Sequence, residues 1–371
     1  MSDVAEASFT DVAEAIEVWR RDGHRVALAT VVDTKRSAPQ PIGTKMAVQD
    51  GGQVVGAVSG GCVEGAVVEI AEEVLAGAEP SLTQYGIADE EAWDVGLPCG
   101  GEISIWVESY ATESLQRSFT ERARAGARAA IVTALQGTPS PGAKLLVEVD
   151  QAPRGTLGEA QLDAAALALA EEAMWSEQRG LHEHAGALLF VDVAAPPARL
   201  VIVGAVDFAA QLSALAKLSG WRAFVIDPRS RFATPERFPA AERVIAAWPE
   251  QAFSELQAID RATAIAVLTH DPKLDDAALT AALQSPAGYI GAMGSRRAQA
   301  RRRERLLAAG LQAVELDRIA APIGLDLGAA SAAETALSIM GEIIAVRNGR
   351  DGGRLADRHG SIHGEVAASA G

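Results

Sequence analysis

The chain has 371 residues, too many for one ordinary core at roughly 150 residues per domain, so two or three folding units are expected. Its composition, 49% hydrophobic but only 5% aromatic, suits helices packed on parallel strands and disfavours an all-β sandwich. With 33 basic against 49 acidic residues, the formal net charge of −16 repels a phosphate backbone and argues against nucleic acid as a partner. The 2 cysteines form neither a disulfide framework nor a zinc signature. No basic segment leads into an apolar one at the N-terminus, and no apolar run reaches the ~20 residues that cross a bilayer. A reducing, cytoplasmic setting without a membrane partner is expected.

In chain order, Val12, Ala15, Ile16 and Trp19 have helical spacing over Asp11–Arg20, and Arg25–Thr34 reads as a strand. The Pro- and Gly-bearing stretch Ser37–Gly43 is a loop leading to a strand at Lys45–Val48, a turn at Gly51-Gly52 and a returning strand at Val54–Val58. The pattern turns helical from Cys62 to Leu75 and stops at Gly77; Ile103–Val107 is a further strand. A helix is expected near Glu121–Arg128, strands near Ala130–Leu135 and Leu145–Val149, then a long Ala-rich helix and a strand at Leu188–Val193. That stretch carries no catalytic cluster, and no internal repeat is evident anywhere in the sequence.

The run Ala194-Ala195-Pro196-Pro197-Ala198 reads as a linker. It separates an N-terminal domain, residues 1–195 with its motifs between about 10 and 110, from a C-terminal domain at 199–348. In the latter, strands at Leu200–Val203, Arg222–Ile226, Val244–Ile245, Ala264–Leu268 and Gly288–Gly291 alternate with helices, the order of a Rossmann-like, doubly wound parallel sheet. Ser331 and Glu334 form a capping box that starts the last helix, which runs to about Arg347. Residues 349–371 have no apolar face and read as a disordered tail. The fold class is therefore α/β throughout.

Several segments can carry chemistry. In Ser59-Gly60-Gly61-Cys62-Val63-Glu64 the glycines let the backbone approach a ligand, and Cys62 would fall in the first helical turn, where unpaired amides suit nucleophilic or metal-ligand chemistry of a thiol. A small buried cysteine packing a helix closely is the equal alternative. Leu97-Pro98-Cys99-Gly100-Gly101-Glu102 is a second thiol beside paired glycines, so Cys62 and Cys99 can share one pocket. Glu64 and Glu102 would serve it as proton acceptors or anchors, or simply be solvated carboxylates. Ser37–Thr44 with Lys45 offers a polar wall and a positive charge to an anionic ligand, or is a plain loop.

In the second domain, Gly204 opens a βαβ turn, and Asp227 follows about 20 residues on, where an acid binds a ribose hydroxyl in dinucleotide sites. Branched Val206 and acidic Asp207 stand where a pyrophosphate needs a glycine, so the fold is expected without NAD(P). His270 lies at the carboxyl end of a strand, as a site residue or as a helix cap. Gly294, Ser295 and Arg296 form a strand-to-helix turn suited to a phosphate or carboxylate, and the apolar loop Pro322–Gly328 would close over the same crevice.

These segments together, in the order Ser37–Lys45, Ser59–Glu64, Leu97–Glu102, Leu268–Asp271, Gly291–Arg297 and Pro322–Gly328, resemble the XdhC/CoxI family of accessory proteins for molybdenum hydroxylases such as xanthine dehydrogenase and CO dehydrogenase. The resemblance covers nearly the whole chain and implies an XdhC/CoxI domain followed by a Rossmann domain. It further implies binding of the molybdenum cofactor (molybdopterin), help with its sulfuration by a cysteine desulfurase, insertion into the apo-hydroxylase, and self-association as a homodimer. On this view Cys62 and Cys99 contact molybdenum or sulfur, and the protein is a chaperone rather than a turnover enzyme. Two other readings stand beside it: an NAD(P)-dependent oxidoreductase with His270 as acid/base, and an assembly scaffold that binds no cofactor.

Overall fold

In the computed structural model of the protein, which describes residues 2–35, 40–86, 101–111, 114–256 and 259–357, internal contacts divide the chain between Pro196 and Pro197. Ser37, Pro98, Cys99 and Gly100 lie outside the described residues, as does the tail beyond Asp357.

The first unit opens with α1 (Ser2–Arg21), β1 (Val26–Lys35), β2 (Lys45–Gln49), β3 (Val54–Gly56), α2 (Glu64–Leu75), β4 (Ser81–Tyr85) and β5 (Glu102–Ser109). The strands form one antiparallel sheet, β3-β2-β1-β5-β4. Alternation sorts β1 between two layers: Ala27, Ala29 and Val31 pack with Val63, Val67 and Ala71 under α2, while Val26 and Leu28 pack with Val12 and Ile16 of α1. β4 was not expected, because Ser81-Leu82-Thr83-Gln84-Tyr85 is an edge segment with little apolar patterning.

A second half then follows the same plan: α3 (Leu115–Arg124), β6 (Ala129–Gln136), β7 (Lys144–Glu148), β8 (Arg154–Gly155), α4 (Ala160–Ser176), β9 (Gly180–His184) and β10 (Ala187–Ala194), with strand order β8-β7-β6-β10-β9. The expectation of no internal repeat is thus corrected. Topology and register recur: Thr30 faces Lys45 and Trp106 in the first sheet, as Thr133 faces Lys144 and Phe190 in the second. Arg25 Nη1 donates to the Leu75 carbonyl at 2.6 Å, and Arg128 Nη1 to that of Met174 at 2.7 Å, tying off α2 and α4 alike. Gly56 (φ +81°) and Gly155 (φ +97°) leave their strands where a Cβ would lie 2.4 and 2.2 Å from the carbonyl oxygens of Lys45 and Lys144. Only glycine suits either position.

The halves meet through Val32 and Trp106 from one and Leu135 and Phe190 from the other. Two ion pairs cross between them reciprocally, the first buried and the second part-buried. Lys45 Nζ reaches Asp192 of β10 at 2.5 Å, and Lys144 Nζ reaches Glu108 of β5 at 2.8 Å.

The second unit runs β11 (Arg199–Val203), α5 (Asp207–Leu218), β12 (Arg222–Ile226), β13 (Arg243–Ile245), α6 (Pro249–Glu255), β14 (Thr263–Val267), α7 (Pro272–Leu283), β15 (Tyr289–Ala292), α8 (Arg296–Ala308), α9 (Ala313–Leu316), β16 (Ile319–Ala320) and α10 (Ala332–Arg347). The sheet is wholly parallel, β13-β12-β11-β14-β15-β16, as the alternation of strands and helices in the sequence implies. Both faces are covered. Leu200, Ile202, Ala264 and Ala266 face a layer holding Leu212 of α5 and Ile339 of α10, whereas Val201, Val203, Ile265 and Val267 face one holding Leu274 and Leu279 of α7. Ser331 and Glu334 complete the expected capping box of α10. A 3-10 turn at Leu355–Asp357 ends the described chain, within the stretch read as a disordered tail.

Candidate functional site

In the first unit, strand register gathers the motif-bearing loops. Lys35 pairs with Glu102, Tyr85 with Ile103, Thr30 with Lys45, and Met46 with Gly56. The outgoing ends of β1, β3 and β4 and the incoming ends of β2 and β5 therefore lie at one end of the first sheet. Gln40–Thr44, Ala57–Val63, Gly86 and Gly101 all lie toward that end, the first two leaving at the level of Thr30 and the last two at the level of Lys35.

The Ser59–Glu64 loop is held by its own side chains. The Glu64 carboxylate accepts from the amides of Val58 (3.2 Å), Ser59 (2.8 Å), Gly60 (2.9 Å) and Gly61 (2.8 Å), and from Ser59 Oγ at 2.5 Å. Ser59 Oγ in turn accepts from the amides of Cys62 (3.0 Å) and Val63 (3.1 Å). Partial burial works against ionisation, but the hydrogen bonds from Ser59 and the loop amides prevail and bring the Glu64 carboxyl down to about 2. Glu64 is thus an anchor and no proton acceptor at neutral pH. Helix α2 starts at Glu64, so Cys62 precedes the first turn that the sequence assigned to it; its amide is taken by Ser59, and the free thiol is exposed. Gly60 and Gly61 have positive φ, and a Cβ on either would meet no described residue within 4 Å, so the loop's outer side is open among the described residues.

Glu102 is held by Lys35 Nζ (3.4 Å) and by Gln84 Nε2 donating at 3.3 Å, which pins three strand ends together. The phenol oxygen of Tyr85, buried at the end of β4, has no hydrogen-bond partner among the described residues. Sequence reasoning missed it, because a tyrosine closing a polar edge strand carries no periodic signal. Lys45 does not offer its charge to solvent: buried, it donates to Asp192 and to the Gly43 carbonyl (3.1 Å). Burial pushes the Lys45 ammonium down while Asp192 opposes; burial would raise Asp192, but the charges of Lys45 and Arg179 outweigh it and hold the carboxyl below its ordinary range. Asp192 also accepts from Arg179 Nε at 2.9 Å. The sequence signal for Asp192 was a single acid inside the apolar run Leu188–Val193, which calls for a buried partner.

In the second unit, every expected site residue falls at the carboxyl edge of the parallel sheet, where ligands of open α/β sheets bind. Strand order reverses between β11 and β14, whose ends carry Gly204 and the Thr269-His270 pair. Gly204 (φ +117°) could not take a Cβ, which would lie 2.4 Å from Thr269 Cγ2. His270 is exposed; the helix cap is Asp271, accepting from the Lys273 amide at 3.0 Å. Ser295 caps α8 by accepting from the Ala298 amide at 3.2 Å, and Arg296 is exposed after the Gly294 turn (φ +132°).

Asp227 is fully buried, and both its oxygens are engaged. They accept from the amides of Ala205 (2.8 Å) and Arg229 (2.9 Å) and from the Arg229 guanidinium at 2.8 and 2.6 Å. Burial opposes its ionisation, and the Arg229 bonds overcome that and lower the carboxyl from its ordinary range. The loop after β16 is fastened through Gly324, whose amide donates to Glu342 at 2.7 Å, and through Ser338 Oγ, which donates to the Leu325 carbonyl at 2.5 Å. Among the described residues no group of His, Cys, Asp and Glu side chains forms a metal-binding cluster, and no helix is long and apolar enough to cross a membrane.

A doubly wound parallel unit following a Gly-Gly-Cys loop domain defines the class, and comparison with known proteins gives the family. Residues 200–343 match the XdhC Rossmann domain and residues 19–86 match the XdhC and CoxI family, together more than half the chain. The protein belongs to the XdhC and CoxI family. It is 28% identical over 338 residues to a probable xanthine dehydrogenase subunit of Bacillus subtilis, spanning 90% of this chain and 96% of that one. It is 26% identical over 330 residues to the molybdenum cofactor insertion chaperone PaoD of Escherichia coli, spanning 88% and 84%. A crystal structure of a xanthine dehydrogenase from Bacillus halodurans shares the fold, with TM-score 0.55 and 24% identity over 94% of this chain and 98% of that one.

Proposed function

We propose that the protein is a molybdenum-cofactor chaperone: it holds and protects the cofactor, assists its sulfuration by a cysteine desulfurase, and inserts it into the apo-form of a molybdenum hydroxylase. The observation that carries this reading is that the described ends of three motif loops lie toward one end of the first sheet, where Cys62 presents an exposed free thiol on a glycine loop. The family and the relative named as an insertion chaperone support it.

The residues fit the group. A thiol is a soft donor suited to molybdenum and sulfide, Gly60 and Gly61 leave room for close approach among the described residues, and the Tyr85 phenol, which has no partner among them, supplies a polar contact. Bound there, the cofactor would bring a molybdenum centre able to carry a sulfido ligand. Cys62 would hold it with Cys99 as the second thiol; Gly60, Gly61, Gly100 and Gly101 give access, Glu64 fixes the loop's shape, and Lys45 fixes the neighbouring limb. Taken by itself, the carboxyl edge of the second unit, at Gly204, His270, Gly294, Ser295 and Arg296, carries a cationic turn suited to a phosphate group. A reducing cytoplasm would keep the thiols free.

The test is anaerobic purification of the protein and of its Cys62→Ser and Cys99→Ser variants, read as molybdenum and pterin per chain. Near-stoichiometric retention that a single serine substitution abolishes is the expected result. Absence of both molybdenum and pterin from the natural sequence would overturn the proposal.

A further inference from the structure

The second half of the first unit repeats the fold of the first but lacks its glycine loop: Glu159, Ala160 and Gln161 stand where Gly60, Gly61 and Cys62 do. We propose that this half serves as a brace for the site and that Asp192 is its positioning residue, fixing the Gly43–Lys45 limb through which the Ser37–Thr44 motif enters β2. The inference rests on the reading that the site lies at that end of the first sheet.

Contacts on three sides of the limb carry it. Asp192 accepts from Lys45 Nζ, and the same ammonium donates to the Gly43 carbonyl, so one buried carboxylate reaches the limb through one cation. Arg179, which donates to Asp192 and to the Val193 carbonyl at 2.5 Å, lies so close that a Cβ on Gly43 would be 2.6 Å from its Cδ. The limb itself is hydrogen-bonded, Gly43 donating to the Val31 carbonyl at 2.8 Å and Thr44 to that of Pro41 at 3.2 Å. The reciprocal pair is a partial counterpart: Lys144 Nζ donates to Glu108 and to Thr133 Oγ1 at 2.8 Å, where Lys45 donates to Asp192 and to the limb's own carbonyl. Glu108 receives Lys144, whose limb is held by Gly142 donating to the Ala134 carbonyl at 2.7 Å, and that limb leads into no motif.

The molecule therefore contains its own control. Asp192→Asn and Glu108→Gln each weaken one ion pair between the same two halves, and both should lower global stability. Amide hydrogen exchange of the intact protein, under conditions far from unfolding, should speed up by at least about tenfold at Gly43 and Thr44 in Asp192→Asn and at Gly142 and Ala143 in Glu108→Gln, each leaving the other limb nearly unchanged. Retention of molybdenum and pterin should fall at least about tenfold in Asp192→Asn and stay within about twofold of the natural level in Glu108→Gln.

Equal acceleration of both limbs in both variants, or equal loss of retention in both, would reduce Asp192 to a stability residue and overturn the inference. Should the natural protein retain neither molybdenum nor pterin, the functional reading fails, and selective exchange at Gly43 and Thr44 still decides whether Asp192 positions the limb.

Discussion

Glu64 shows how a single side chain can be read two ways from sequence and only one from structure. An acid three residues after a glycine pair at a helix start suggests a proton acceptor; with four amides and one hydroxyl directed at it, the carboxylate is a structural anion. Its carboxyl titrates near the ordinary 4.5 when unfolded and near 2 when folded, so its stabilisation is complete above about pH 4.5 and is lost as pH falls toward 2. After allowing for solvent screening of a partly exposed group, Glu64→Gln should lower stability by about 1–2 kcal/mol at pH 7. Denaturant unfolding at pH 7 and at successively lower pH should show the difference shrinking across that window; a constant difference would contradict the assignment. Asp192 marks the opposite limit of legibility. A buried acid announces that it needs a partner, but nothing local says that the partner is 147 residues away.

At the level of elements, what the sequence made plain is what periodicity and punctuation encode. The strands of the second unit are apolar runs between turn residues, and the capping box of α10 is written in Ser331 and Glu334. The short edge strands β4, β8 and β16 escaped, since two to five residues with polar neighbours give no period to read. The repeat escaped for a different reason. Gly43, Lys45, Gly56 and Glu64 recur at Gly142, Lys144, Gly155 and Asp163 with unchanged spacing, but the apolar positions between them tolerate exchange as long as volume and pattern persist. Gly56→Ala and Gly155→Ala test the equivalence, since each forces a Cβ onto a backbone oxygen at positive φ. Both should destabilise by more than about 1 kcal/mol in urea unfolding, and a tolerated alanine at either would show that the two turns are not alike.

For the molecule as a whole, a Rossmann-like unit does not entail a nucleotide. Asp227 has its four acceptor directions filled by Ala205 and Arg229, and Val206 and Asp207 stand at the turn where a pyrophosphate would need glycine and positive charge. Titration of the intact protein with NADH or NADPH should give no saturable fluorescence change up to about 1 mM; micromolar binding would restore the oxidoreductase reading.

The reciprocal lysines have a consequence for symmetry. A contact in which each half extends the same arm to the same receptor on the other is the isologous arrangement of a twofold dimer, here closed within one polypeptide. In a true homodimer, any change to one loop appears in both copies, so site and support cannot be optimised separately. Joined in one chain, the copies are free to differ: Gly60, Gly61 and Cys62 of the first half face no counterpart in the second, which has Glu159, Ala160 and Gln161 there, so on the proposed reading one copy can hold a ligand while its duplicate keeps only the scaffold.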